Sequence, residues 1–144
     1  MSLRSKEEYF ESLRRMKKRI FIFGEEIESY VDHPIIRPSL NAVAMTYELS
    51  HLPEHEDLMT VASSLNGEKI NRFTHLHQSR DDLVKKIKML RLLGQSTACC
   101  FQRCVGLDSF NAVDIVTYKM DQQLGTDYNL KFRNFLQTDF GEYL

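Results

Sequence analysis

The sequence predicts a mainly α-helical domain that spans residues 1–144, and three observations support this fold class. Apolar residues recur at helical spacing along most of the chain, and the candidate helices begin at capping residues such as Ser5 and Ser79. One short run, residues 19–23, has the β-branched and aromatic composition of a strand. A chain of 144 residues is also long enough to bury a hydrophobic core as one domain.

The first part of the chain predicts two helices on either side of an extended segment. Ser5 and Glu8 have the spacing of a capping box at the start of the first helix. The run that ends at Gly24 predicts a short strand, and residues 25–31 predict a short helical piece. Two prolines predict a break over residues 33–38, after which Ser39 caps the next helix.

The middle of the chain predicts a short helix and then an irregular stretch. Pro53 restarts the chain, and acidic residues follow it in the first turn, where the helix dipole favours them. Residues 63–77 have no clear period apart from an Asn66-Gly67 turn signal. We therefore expect either an exposed loop or a segment that lies against another part of the structure.

The last part of the chain predicts three further helices. Ser79 caps the strongest of them, which runs to Gly94. Its apolar stripe comprises Leu83, Ile87, Leu90 and Leu93. Asp108 is expected to cap a helix that Gly125 closes, and Thr126 or Asp127 to open the last helix. The inward residues of that last helix are expected to be Phe132, Phe135 and Leu136.

Composition and charge argue against several classes of protein. The formal net charge of -1 provides no general attraction for nucleic acid or for an anionic membrane. No apolar run approaches the ~20 residues of a membrane span, and the first residues do not resemble a signal peptide. We therefore expect a cytoplasmic protein without nucleic-acid or membrane partners. Its three cysteines lie within six positions, unlike a disulfide framework, and indicate metal binding or redox chemistry.

Cys100 and Cys104 are the candidate metal ligands, because residues four apart lie on one face of a helix. Zinc and iron–sulfur clusters both bind thiolates, and each needs about four ligands, so the pair supplies half of a site. Cys99 points in another direction on a helix and is not expected to join. A zinc module that adds His75 and His77, and plain packing of the cysteines, remain open alternatives.

Four blocks of sequence resemble the 4-hydroxybutyryl-CoA dehydratases, also called vinylacetyl-CoA delta-isomerases. The blocks are residues 33–47, 67–79, 88–95 and 100–106, and the resemblance covers nearly the whole chain. The wider family includes the 4-hydroxyphenylacetate 3-hydroxylases, which are flavoproteins with an acyl-CoA-dehydrogenase-like fold. The resemblance implies that this chain is the helical N-terminal domain of that fold.

The resemblance also implies a specific activity and two cofactors. The family enzyme holds FAD and a [4Fe–4S] cluster, converts 4-hydroxybutyryl-CoA to crotonyl-CoA in 4-aminobutyrate degradation, and isomerises vinylacetyl-CoA. A transient one-electron oxidation by the flavin and Lewis-acid action of the cluster are the chemistry it implies. Cys100 and Cys104 match two cluster cysteines, and Gln102 matches a glutamine near the flavin and cluster. Cys99 has no counterpart among those ligands.

Family chains are several times longer than 144 residues, which limits what this chain is expected to do alone. The remaining cluster ligands, the middle β domain and the later helical domain, which hold most of the flavin and the acyl-CoA substrate, lie outside it. We therefore expect no catalytic residue in this chain, no stable binding of FAD or cluster by it alone, and no turnover. The resemblance implies a homotetramer, and exposed apolar surface would favour self-association. A flavin monooxygenase without a cluster and a free-standing helical binding module are the alternative functions.

Overall fold

The computed structural model describes residues 3–98 and 103–138, which form six α helices and two antiparallel two-stranded hairpins. The helices are α1 (Lys6–Arg15), α2 (Arg37–Glu48), α3 (Glu56–Met59), α4 (Arg80–Thr97), α5 (Arg103–Leu124) and α6 (Tyr128–Thr138). The strands are β1 (Ile20–Ile22), β2 (Glu25–Ile27), β3 (Thr60–Ala62) and β4 (Lys69–Asn71), and 3-10 turns lie at Leu49–His51, Pro53–His55 and Arg72–Thr74. The prediction of a mainly α-helical chain is confirmed, whereas the assignment of residues 1–144 to one domain stays a prediction.

The predicted strand near residues 19–23 is confirmed as β1, but it forms a hairpin where a helical piece was predicted. Ile22 pairs with Glu25, so the turn contains only Phe23 and Gly24. Both turn residues have positive φ, 52° for Phe23 and 88° for Gly24. Two such residues fit the tight turn whose twist matches an antiparallel hairpin. The helical prediction for residues 25–31 is wrong because this turn returns the chain against β1.

The starts of α1 and α2 show which capping signals were reliable. The capping box of α1 is confirmed, since the Ser5 hydroxyl accepts the Glu8 amide hydrogen bond and the Glu8 carboxylate accepts that of Ser5. α2 begins at Arg37, so the prediction that Ser39 is its cap is wrong. Pro38 lies inside the first turn, where a helix tolerates a residue without an N–H donor.

Residues 63–77 combine the two alternatives left open by the sequence: residues 63–68 form a turn without a buried residue, and the segment from residue 72 packs against the core. β3 and β4 pair antiparallel around a turn that includes Gly67, whose φ is 77°. The Asn66-Gly67 turn is therefore confirmed, but its flanks are strands. After β4, the side chains of Phe73 and Leu76 are buried. Burial of these two apolar residues stabilises a stretch that has no period of its own.

α4 is longer than predicted and packs only the C-terminal part of the predicted stripe, Leu90 and Leu93, against the core. The prediction that Ser79 caps it is confirmed, and the Asp82 carboxylate accepts the Ser79 amide in return, which completes a capping box. The predicted end at Gly94 is wrong, because the Gly94 carbonyl accepts the Ala98 N–H at 2.9 Å and the helix continues to Thr97. The buried residues of α4 are Met89 and Leu93. Of the predicted stripe, Leu83 and Ile87 are 47% and 66% exposed.

α5 and α6 form a helical hairpin closed by polar contacts. Asp108 lies inside α5, so its predicted role as a cap is wrong: the helix already includes Arg103. The predicted end near Gly125 is confirmed, since this residue has a φ of 66° and donates to the Asp121 carbonyl at 3.0 Å.

The first turn of α6 is held by a side chain of the preceding helix. The Asp121 carboxylate accepts hydrogen bonds from the Tyr128 and Asn129 amides, both at 2.9 Å. The predicted start of the last helix near Thr126 is thus confirmed to within two residues. The prediction that Phe135 points inward is wrong, because 48% of it is exposed; α6 contacts α5 through polar side chains instead.

Two clusters of buried apolar residues form the core. The first lies between α1 and α2 and comprises Tyr9, Phe10, Val31, Ala44 and Tyr47. The second is formed by α3, α4, α5 and the 3-10 turns after α2 and β4, and comprises Leu49, Met59, Phe73, Met89, Leu93 and Leu107. Several apolar side chains of α5 and α6 remain exposed, among them Val113, Ile115 and Val116. Within the described ranges, no helix has both the length and the hydrophobicity that a bilayer crossing requires.

Candidate functional site

Of the predicted site residues, the structure describes only Cys104, which lies in the first turn of α5. Cys100 and Gln102, together with Cys99, lie outside the described residues. Cys104 is the second described residue of α5, is half-buried, and packs against the second core cluster. The geometry of the Cys100–Cys104 pair therefore stays a prediction.

Arg103, which precedes Cys104, contacts three side chains from distant parts of the sequence. Its guanidinium donates a hydrogen bond to the Thr46 hydroxyl. The guanidinium carbon lies 4.3 Å from the centre of the Tyr47 ring and 4.8 Å from that of Phe73, within the range of cation–π contacts. Burial lowers the pKa of Arg103. These contacts attach the start of α5 to α2 and to the 3-10 turn after β4.

A cavity of about 480 Å³ adjoins this arginine. It lies between α1, the β3–β4 hairpin and the end of α6, and Arg103 and Tyr47 both line it. The other lining residues include Glu8, Glu11, Asn71 and Thr74. The lining thus mixes acidic, basic and neutral polar groups, and it does not by itself select one class of ligand. No sequence pattern indicates this cavity, because its walls come from segments far apart in the chain.

His75 and His77 lie next to α5, but they form no metal site with the other described residues. The His75 ring is buried, with Nε2 at 3.4 Å from Asp82 Oδ1, and the centres of the two histidine rings are 6.2 Å apart. Burial is the main cause that lowers the pKa of both histidines, which favours neutral rings at pH 7. In residues 3–98 and 103–138, His75 Nδ1 and His77 Nε2 are buried without a hydrogen-bond partner.

The backbone next to these rings is held by Asn111 of α5. Its side-chain oxygen accepts the His77 amide hydrogen at 2.7 Å, and its side-chain nitrogen donates to the His75 carbonyl at 3.2 Å. One residue of α5 therefore fixes the path of the chain past both histidines. The predicted zinc alternative would require Cys100 and stays a prediction.

A buried arginine that sequence reasoning missed fixes the segment before α4. Arg72 is 2% exposed and donates to the carbonyls of Leu58, Asp57 and Thr60 at 2.8 to 3.0 Å. It also forms an ion pair with Asp82 at 3.4 Å. The residues are 10 to 15 positions apart, and a single arginine in an aperiodic stretch carries no signal of such a network.

The described residues fit a metal or cluster only in part. Cys104 provides thiolate chemistry at the expected place, which is appropriate for one ligand of an iron–sulfur cluster. In the described part of the chain, no three His, Cys, Asp or Glu side chains come together to hold a metal ion. Among the described residues, Cys104 alone is a predicted ligand, so a cluster would need further ligands from outside them.

The comparisons with known sequences find similarity to two kinds of enzyme, a dehydratase/isomerase and oxygenase components of monooxygenases. A family described as 4-hydroxyphenylacetate 3-hydroxylase N terminal matches residues 5–139. The 4-hydroxybutyryl-CoA dehydratase/vinylacetyl-CoA-Delta-isomerase of Clostridium aminobutyricum is 59% identical over 135 residues, 94% of this chain and 28% of that protein. The oxygenase component of 4-nitrophenol 2-monooxygenase from a Rhodococcus species is 35% identical over 79 residues, 54% of this chain and 15% of that protein.

Among the solved structures, too, a dehydratase is more similar to this chain than a monooxygenase component is. An oxygen-tolerant archaeal 4-hydroxybutyryl-CoA dehydratase from N. maritimus superposes with a TM-score of 0.90 at 45% identity, covering 99% of this chain and 28% of that one. The oxygenase component of 4-hydroxyphenylacetate 3-monooxygenase, complexed with FAD, has a TM-score of 0.56 at 22% identity and covers 65% of this chain and 19% of its own. The second similarity shows a shared fold. The chain spans less than a third of the length of either dehydratase.

Proposed function

This chain belongs to the 4-hydroxyphenylacetate 3-hydroxylase N-terminal family, and on that premise we propose that it is the N-terminal domain of a 4-hydroxybutyryl-CoA dehydratase/vinylacetyl-CoA delta-isomerase. One observation carries the proposal: similarity to the dehydratase is 59% identity over 94% of the chain. Similarity to the 4-nitrophenol 2-monooxygenase falls to 35% over 54%. The resemblance to the dehydratase therefore extends through regions in which the monooxygenase no longer aligns.

The proposal gives the start of α5 a role in cofactor binding. Cys100 and Cys104 are proposed as two thiolate ligands of a [4Fe–4S] cluster, and Gln102 as a residue near the flavin and the cluster. When bound, the cluster would supply Lewis-acid chemistry and FAD one-electron chemistry. The half-buried Cys104 next to a firmly held Arg103 supports this assignment, because a ligand on a fixed helix end needs little reorganisation to bind.

The activity is proposed for a longer polypeptide, of which this domain provides a part. The chain spans 28% of the C. aminobutyricum relative, and among its described residues only Cys104 stands where a cluster ligand is predicted. Further cluster ligands, most of the FAD site and the acyl-CoA site would come from other domains. Alone, the chain would neither hold the cofactors stably nor turn over substrate. A cytoplasmic homotetramer is proposed on the same basis.

The test is anaerobic purification of the full-length protein, with iron, acid-labile sulfide and FAD measured per chain. Conversion of 4-hydroxybutyryl-CoA to crotonyl-CoA and isomerisation of vinylacetyl-CoA are then assayed. We expect about four irons per FAD. Cys100→Ser and Cys104→Ser should lose iron and both activities. Cys99→Ser, the matched control one residue away, should keep them.

Three outcomes would contradict the proposal. A full-length protein that contains FAD, lacks iron and hydroxylates a phenol with reduced flavin would be a monooxygenase. Equal iron content in Cys99→Ser, Cys100→Ser and Cys104→Ser would show that the cysteine pair does not bind the cluster. A stable 16.9 kDa protein in its own cells would favour the binding module instead.

A further inference from the structure

Arg103 has no acidic partner in the part of the chain that the structure describes, although its side chain is half-buried. Its contacts there are one hydroxyl, from Thr46, and two aromatic rings, from Tyr47 and Phe73. Removing a guanidinium from water without a carboxylate is costly, and cation–π contacts offset only part of that cost. Apolar residues of similar volume often replace buried charges at no loss of stability. The fold alone therefore does not require an arginine at this position.

Two of the three partners of Arg103 belong to different core clusters. Tyr47 belongs to the cluster between α1 and α2, and Phe73 belongs to the cluster lined by α4 and α5. Thr46 is fully buried on α2, and its own hydroxyl donates to the Val43 carbonyl at 2.6 Å. The arginine thus joins the start of α5 to two separate packed regions. A helix end attached on two sides cannot rotate about its axis without breaking one set of contacts.

Cys104 follows Arg103 directly, so the direction of its side chain depends on that attachment. Adjacent residues on a helix are about 100° apart, and their relative orientation is fixed by the backbone. Any rotation of the first turn that releases the guanidinium from Tyr47 and Phe73 would carry the thiol with it. The orientation of Cys104 is therefore coupled to contacts made 57 and 30 residues away in sequence.

We propose that Arg103 is a positioning residue for Cys104, which fixes the direction in which this residue presents its thiolate to the cluster. The inference rests on the proposed function, since it presupposes that Cys104 binds a cluster. It assigns no contact between Arg103 and substrate. Residues that orient metal ligands typically change metal affinity about 10- to 100-fold when they are replaced.

The experiment compares full-length wild type with Arg103→Met, Arg103→Lys and the control Arg91→Met, in which an exposed arginine of α4 is replaced. Iron and FAD per chain, the visible and EPR spectra of the cluster, and the chelator concentration that removes half of the iron are measured. For Arg103→Met we expect a normal FAD content, an altered cluster spectrum, and half-loss of iron at about 10- to 100-fold less chelator. Arg103→Lys should lie between it and wild type, and Arg91→Met should match wild type.

A second pair of variants keeps the inference testable if Arg103→Met does not fold. Thr46→Val and Tyr47→Leu remove partners of the guanidinium and leave the arginine in place, and each should raise the sensitivity of the cluster to chelator. A wild-type protein with a cluster whose spectrum and chelator sensitivity are unchanged in Arg103→Met, or in Thr46→Val and Tyr47→Leu, would overturn the positioning role alone. A wild-type protein without iron would overturn both the proposed function and this inference.

Discussion

The charge of Asp82 should make a measurable and pH-dependent contribution to stability. This carboxylate accepts hydrogen bonds from the backbone amides of Gln78 and Ser79, at 2.9 and 3.0 Å. It also lies 3.4 Å from both the Arg72 guanidinium and the His75 ring. Burial raises the pKa of Asp82, but these donors and charges outweigh it and lower the pKa from 3.8 to about 2. Removing the charge should therefore weaken the packing of residues 72–79 against the start of α4.

The magnitude follows from the shift in pKa. At about 1.4 kcal/mol per pH unit, a shift from 3.8 to about 2 corresponds to roughly 2.5 kcal/mol at pH 7. Solvent screening of the exposed part of this side chain, 13% of its surface, reduces the expected value to about 2 kcal/mol. Because the folded pKa lies below the unfolded one, the contribution is fully present well above pH 4. It is lost as the pH falls from about 4 through 2.

The assay is urea unfolding of wild type and Asp82→Asn at pH 7, 4 and 3. The free energy of unfolding should be about 2 kcal/mol lower for the variant at pH 7, and the difference should shrink to about half at pH 3. Asp81→Asn is the matched control in the same turn, because Asp81 is 71% exposed and its ion pair with Lys85 is 3.6 Å long. It should change stability by less than about 0.5 kcal/mol. Equal stability of Asp82→Asn and wild type at pH 7, or a difference that is constant down to pH 3, would refute the reasoning.

Two further predictions concern the core and the first hairpin. Leu107→Ala removes a fully buried side chain of α5 and should lower the free energy of unfolding by about 2 to 5 kcal/mol. Val105→Ala, at a position that is 59% exposed, should lower it by less than about 1 kcal/mol. Urea titration of both variants measures this difference. Phe23→Asn should raise the midpoint of thermal unfolding, because Phe23 is 93% exposed at a φ of 52°, a backbone conformation that asparagine adopts more easily. A lower midpoint for Phe23→Asn than for wild type would show that the phenyl ring makes a stabilising contact.

Local signals predicted the fold well where the determining interaction spans a few residues. The capping box at Ser5, the cap at Ser79 and the turn at Asn66-Gly67 all depend on neighbours within three positions, and all three predictions are confirmed. The hairpin at Phe23 was missed, because phenylalanine is not a residue that signals positive φ. The strand pairing in turn determined the conformation of residues 25–27, which their own composition did not.

Apolar periodicity predicted the existence of α4 but only part of the face that it buries. Leu83 and Ile87, the first half of the predicted stripe, are largely exposed. Leu93 of the stripe is buried together with Met89, which the stripe did not include, and both lie in the C-terminal half, where α4 packs into the second core cluster. Which of two apolar faces is buried depends on the neighbouring elements, and a single sequence does not contain that information in its period.

At the candidate site, sequence patterns indicate the cysteine pair but not the side chains that support it. The spacing of Cys100 and Cys104 is visible in the sequence, because two positions four apart suffice to indicate a shared helical face. The support of that face is not visible, since Arg103 depends on Thr46 and Tyr47 of α2 and on Phe73 of a later turn. Tyr47 and Phe73 belong to different core clusters, so both clusters must form before the arginine has its full set of partners. A cysteine placed next to such a junction is oriented only when the whole domain is folded, which makes folding of this domain a precondition for the proposed cluster site.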